Sequence, residues 1–260
     1  MLNQQYTGNN NSVKWQGYNV IDNDVYANFM QNEVSERLND LEAEAEIENH
    51  LRGLATTGFE VNNLEELLNA PTPEQKAWAV GEAFAEAILE RENGVIFPWN
   101  QKRDLRNENS SLSGADLIGL VEDDGQIKLL VGEVKTSEED THPPQVMSGQ
   151  HGMINQLKEY HTNKTRQMTI INWILYRCKG TEYEEQLNDA IKFFISNGNT
   201  GFYLAGVLVR SGVTTDELDL KNRGIDLSNT LEGSTKGDLQ AFYLPHDLDN
   251  FVELAVGGDQ

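Results

Sequence analysis

The chain has 260 residues, of which 38% are hydrophobic, and its 42 acidic side chains against 20 Lys/Arg give a formal charge of −22. This suits one large domain, or one with an appendage, and no apolar run approaches the roughly 18 residues of a membrane span. A single cysteine, Cys178, excludes an internal disulfide and a cysteine-based zinc site, and the five histidines show no paired metal-binding spacing.

In chain order, residues 1 to about 15 (MLNQQYTGNNNS and on) are Asn/Gln-rich, carry no signal-peptide pattern and are expected to be a flexible start of a cytoplasmic protein. From Asp22 to Arg52 the residues Val25, Phe29, Val34, Leu38 and Leu41 recur near helical spacing. The acidic run Glu42 to Glu48 is read either as a solvated helix face or as a contact for a basic partner. Residues 1–70 are therefore expected to form an N-terminal helical appendage to a domain over 71–260. Pro71-Thr72-Pro73 punctuates the chain and opens a helix that Asn93-Gly94 stops. Glu82 and Glu86 share one side of it at i and i+4, and either could face the hairpin. Val95 to Trp99 reads as a short strand. Lys102, Arg103 and Arg106 then place three cations within five residues and are the candidate phosphate contacts.

The stretch Ser113 to Ser137, SGADLIGLVEDDGQIKLLVGEVKTS, has the pattern of a β-hairpin, two aliphatic runs about an Asp-Asp-Gly turn. With a loop over Asp123 to Gln126, Glu122 pairs with Ile127, and counting outward sets Asp116 opposite Glu133. Lys135 points to the same face two residues on. Two neighbouring carboxylates resist ionising together, and a hard divalent ion such as Mg²⁺ or Mn²⁺ is the usual remedy. A salt-bridge cluster at a strand end is the competing reading. Ser137 to Ser148 is expected to be a mobile loop over this site. Gly149 to Thr162 reads as a helix carrying Gln156 and Tyr160 on one face. Helices over Arg166–Cys178 (the more central) and Tyr183–Ser196 follow, then a buried strand Phe202–Arg210. A polar loop Thr214–Thr235, a strand Leu239–Leu244 and a closing helix Asp247–Leu254 complete the chain. The fold class is α/β, a mixed sheet flanked by helices.

GAD-x-I-G followed by a strand ending G-E-V-K resembles the PD-(D/E)xK nuclease superfamily, with Ala115 where that motif has its proline. Asp116 matches the first acidic position and Glu133-Val134-Lys135 the (D/E)xK element. GEAFAEAILERENG resembles the first core helix, and Gln156 to Tyr160 the Q-x-x-x-Y element. The resemblance, over roughly residues 74 to 210, implies a restriction-endonuclease-like core. It implies Asp116, Glu133, Glu86 and the Val134 carbonyl as ligands of Mg²⁺ or Mn²⁺. Lys135 and Gln156 become further catalytic residues, and Tyr160 a substrate contact. The implied activity is DNA cleavage. The strong acidity argues against unaided DNA binding and suggests a DNA-handling partner such as a helicase. The arrangement is similar to nuclease subunits of the Hachiman antiphage defence system. A DNA repair or recombination nuclease, a non-catalytic or regulatory subunit with a nuclease-like fold, and a nucleic-acid mimic are the alternatives.

Overall fold

The computed structural model describes residues 1–70, 75–104 and 114–257. Its frame is a six-stranded mixed sheet of β1 (Leu2–Asn10), β2 (Val13–Val20), β3 (Leu117–Asp123), β4 (Gln126–Ser137), β5 (Tyr203–Arg210) and β6 (Lys236–Tyr243). The order across the sheet is β1-β2-β6-β5-β4-β3. The four inner strands run parallel, and each edge strand is the antiparallel arm of a hairpin.

Both faces are covered, so inner strands read as continuous apolar runs rather than as alternation. Leu130 and Val134 of β4 face one layer; Leu129 and Val131 face the other. The first layer holds α1 (Asp24–Phe29), a π-helical turn Met30–Val34, α2 (Ser35–Asn39), α5 (Ala77–Asn93) and α10 (Leu248–Val256). The second holds α6 (Met153–Thr162), α7 (Lys164–Cys178), α8 (Glu184–Ser196) and α9 (Lys221–Ser228). Between α2 and α5 lie α3 (Leu41–Leu54) and α4 (Gly58–Leu68), which contribute no residue to either core; Leu64 of α4 is their one buried apolar side chain. Among the described residues no helix is long and apolar enough to cross a membrane.

The hairpin forms in the expected register, with Glu122 facing Ile127, but the strands continue one pair further to Asp123 and Gln126. The connection is the two residues Asp124 and Gly125, both left-handed (φ 53° and 72°). That geometry matches the twist of the flanking strands and favours Asp-Gly.

The first twenty residues correct the sequence reading. They form β1 and β2, and β2 is inserted beside β6, with Val13 opposite Gly237. The Asn/Gln-rich segment is an exposed edge strand, which needs few apolar side chains, while Val13, Trp15 and Val20 of β2 are buried. Tyr26, Phe29, Met30, Val34 and Leu38 pack in the same core as Phe84 of α5. The expected boundary at residue 70 therefore moves: residues 1 to about 38 belong to the main body, and only α3 and α4 project. Three smaller differences follow the same logic. Val95 to Trp99 supplies a single bridge, Ile96 to Leu120. The expected loop Thr214–Thr235 contains α9, whose Gly224 lies against the Trp15 ring. Helix α7 is a half-exposed outer helix, with Tyr176 and Met168 in solvent. The proline-rich opening of α5 lies outside the described residues.

The segment after β4 is anchored as well. Arg210, fully buried, donates to the carbonyls of Glu139 (2.7 Å) and Thr141 (3.1 Å) and to Asp219 (3.2 Å). His142 Nδ1 stands 2.8 Å from the same Asp219 carboxylate.

Candidate active site

Strand β3 begins at Leu117, paired with Gly132, whereas β4 runs on to Ser137. Past Gly132, the side of β4 that faced β3 therefore meets side chains instead of a strand. The Asp116 N–H still donates to the Gly132 carbonyl (3.2 Å), which leaves Asp116 beside Glu133 as the register count expects. Its Oδ2 accepts the Val134 N–H at 2.8 Å. In an extended residue the N–H and C=O point to the same side, so the Val134 carbonyl is also directed towards Asp116. Lys135 Nζ donates to Glu133 Oε1 at 2.6 Å. Tyr160, buried on α6, donates to Glu133 Oε2 at 2.7 Å and reaches the Gly114 carbonyl at 3.1 Å. The structure thus gathers Asp116, Glu133, Lys135 and Tyr160 from three elements.

Helix α5 decides between the two candidate glutamates. At Gly81 the helix backbone closes on β4, where a Cβ would overlap Thr136 Oγ1. This approach brings Glu82 into the field of Asp116, Glu133 and Lys135. Glu86, one turn on, is buried against Arg37, 3.9 Å away, and Arg37 also binds Glu90 at 2.7 Å. The favoured choice of Glu86 therefore gives way to Glu82 as the glutamate that shares the hairpin's charges.

The electrostatics are those of a carboxylate cluster with Lys135 as its nearest opposing charge. Burial, then the neighbouring carboxylates Asp116, Glu86 and Glu133, pushes Glu82 up to about 9 against the opposing Lys135. Burial and Glu133 push Asp116 up to about 7, although the Val134 N–H and Lys135 act the other way. Burial also lifts Glu86 to about 7, with Arg37 opposing. Burial works against the Lys135 ammonium, but Glu133, then Asp116 and Glu82, outweigh it and hold its pKa above the ordinary lysine value. Among the described residues no three Asp, Glu, His or Cys side chains are already gathered as a metal centre, and both Glu133 oxygens hold protein donors. The chemistry of the set still fits a hard divalent ion. It is all oxygen, with three carboxylates and a carbonyl, and burial together with mutual repulsion raises the pKa of two of the carboxylates, Glu82 and Asp116.

Lys102 and Arg103 are paired away from this cluster. Lys102 Nζ binds the Asn39 carbonyl (2.8 Å) and Glu44 (3.1 Å). Arg103 makes a two-pronged contact with Asp40 (2.8 Å for the Nη2 bond) and lies over the Trp99 ring. Arg106 lies outside the described residues. Gln101 instead touches the site's backbone, its amide donating to the Asp116 carbonyl at 2.9 Å. Gln156 accepts from Arg166 (2.7 Å) and donates to the Gln150 carbonyl (3.0 Å). Arg166, which sequence reasoning passed over, stacks at 5.0 Å on the ring of Tyr160, the residue that donates to Glu133. Its only sequence signal is an arginine one turn into the helix that follows Q-x-x-x-Y. No known family model matches the chain, and no characterised protein is similar to it in sequence.

Proposed function

We propose that this chain is a metal-dependent nuclease with a restriction-endonuclease-like core, cleaving DNA phosphodiester bonds. The observation that carries the reading is the convergence of Asp116, Glu133 and Lys135 on one face of the β3–β4 hairpin, with Glu82 delivered beside them by α5. Asp116, Glu133, Glu82 and the Val134 carbonyl would hold Mg²⁺ or Mn²⁺, which supplies a water of lowered pKa and neutralises charge on the phosphate. The Val134 N–H fixes one oxygen of Asp116, and Tyr160 fixes one of Glu133. Lys135 presents its ammonium where negative charge grows as the phosphodiester is attacked. Arg166 and Gln156 extend the polar lining on the α6 side.

The charge of −22 bears on how DNA arrives. A chain this acidic is repelled by a polyanion, so a helicase-type partner is proposed to hold and present the DNA. The setting that suits such a pair is a cytoplasmic antiphage defence complex, of which this chain is the effector. The second reading is a non-catalytic or regulatory subunit of the same fold. It is favoured by one observation, that Lys135 and Tyr160 already satisfy both Glu133 oxygens.

The test is cleavage of plasmid and linear DNA with Mg²⁺, Mn²⁺ or EDTA, alone and with the product of the adjacent gene. Calorimetric titration of Mn²⁺ runs alongside. Metal-dependent cutting lost in Glu133→Ala and Lys135→Ala, with Mn²⁺ binding lost in Glu133→Ala, supports the nuclease. No Mn²⁺ binding and no cutting in any arm supports the second reading.

A further inference from the structure

We propose that α3 and α4 form a docking surface for a partner protein whose own surface sets lysine and arginine side chains around an apolar centre. The two helices are well made but contribute almost nothing to the core. Thr57 caps α4 with a reciprocal Glu60 contact. Arg52 ties the pair together through Glu48 and Glu65. Lys102 and Arg103 tie the pair and the preceding turn to the body through Glu44 and Asp40. Polar contacts and caps thus hold the helices, and their large apolar side chains are left over. Ile47 is 60% exposed, Leu54 62%, Phe59 76% and Leu67 73%, four of the most exposed large apolar side chains among the described residues. Apolar groups concentrated this way on a soluble surface mark a protein contact.

Charge selects the occupant. Residues 41–68 carry seven glutamates against one arginine, and that arginine is already paired. A second copy of this chain would bring two strongly negative surfaces together, and nucleic acid or an anionic lipid surface would be repelled. A cationic protein surface is attracted at long range and then buries the apolar side chains. The inference names a surface for the partner that the functional reading calls for. Its test reads binding alone, so it stands or falls independently of cleavage.

The probe is a helical peptide with leucines on one face and lysines on the other, and the control is a scrambled peptide of the same composition. Binding to the intact chain is followed by calorimetry and by amide hydrogen exchange. The expected result is binding that slows exchange within residues 41–68. It should weaken about tenfold or more in Phe59→Ser/Leu67→Ser, as loss of central contacts does, and weaken again in Glu46→Gln/Glu66→Gln. Circular dichroism checks that both variants fold, and Leu54→Ser serves as an independent surface variant. Equal binding of both peptides, equal binding by the variants, or protection elsewhere would overturn the proposal. So would self-association of the free chain that disappears in Phe59→Ser/Leu67→Ser, which would assign the face to a second copy.

Discussion

Replacing Glu82 with glutamine removes an ionisable group from the site while leaving the hairpin intact. In the folded chain, burial and then the carboxylates of Asp116, Glu86 and Glu133 hold the Glu82 proton up to about 9, against an ordinary value near 4.5. The sign follows from linkage. A carboxyl whose folded-state pKa is raised costs nothing at low pH, where both states are protonated. As pH rises past about 4.5 the unfolded chain ionises more readily than the folded one, so stability falls until about 9. Between 4.5 and neutral pH this amounts to about 3 kcal/mol, an upper figure because Lys135 and the neighbouring acids respond together. Glutamine does not ionise, so Glu82→Gln is expected to be more stable than the wild type by about 1–3 kcal/mol near pH 7 in EDTA. The gain should shrink towards zero near pH 4.5. Urea unfolding followed by tryptophan fluorescence, at several pH values, measures it. Mn²⁺ should then stabilise the wild type more than the variant. A variant less stable than the wild type at neutral pH, or a difference that ignores pH, would show that Glu82 is solvated apart from Asp116 and Glu133.

Tyr160→Phe removes the donor to Glu133 Oε2 and should lower unfolding free energy by about 1.5–3 kcal/mol, since the bond is buried and its acceptor is a carboxylate; chemical denaturation gives the value. An exposed helical Gly→Ala change usually stabilises by about 0.5–1 kcal/mol. Gly81→Ala should instead destabilise by about 1–3 kcal/mol, because the new methyl meets Thr136 on β4. Thr136→Ala in the same chain should restore much of that loss, because Thr136 Oγ1 is buried with no hydrogen-bond partner of its own among the described residues; additive losses in the double-mutant cycle would refute the contact.

The hairpin was legible because both of its determinants are local. Aliphatic runs define the strands, Asp124-Gly125 defines the turn, and the period of two then sets Asp116 against Glu133 with no knowledge of the rest of the chain. The N-terminal strands were not legible, because β2 is defined by a partner at the far end of the sequence and β1 is an edge whose Asn and Gln side chains face water. The glutamate on α5 was half legible. Helical spacing puts Glu82 and Glu86 on one side, but only the close approach at Gly81 against Thr136 shows which of them reaches the hairpin. Sequence shows the local excess of positive charge at 102 and 103 but not that Glu44 and Asp40 already pair with it. Arg166 was missed for the converse reason. It lies beside Lys164 with nothing in the sequence to tie it to Tyr160, and the turn between α6 and α7 brings it over that ring.

The pairing of β2 with β6 has a consequence for the order in which the molecule assembles. Val13 must wait for Gly237, and Phe84 of α5 rests on Phe242 and Phe251, with ring centroids 5.4 and 5.7 Å away. Contacts this distant in sequence close late, after the β3–β4 hairpin and the helices that follow it have had time to form. On the ribosome, the hairpin carboxylates emerge well before the residues that clamp α5 against the sheet. A nascent chain that has exposed the hairpin therefore already carries α5, but not the Phe242 and Phe251 rings that back Phe84 against the sheet.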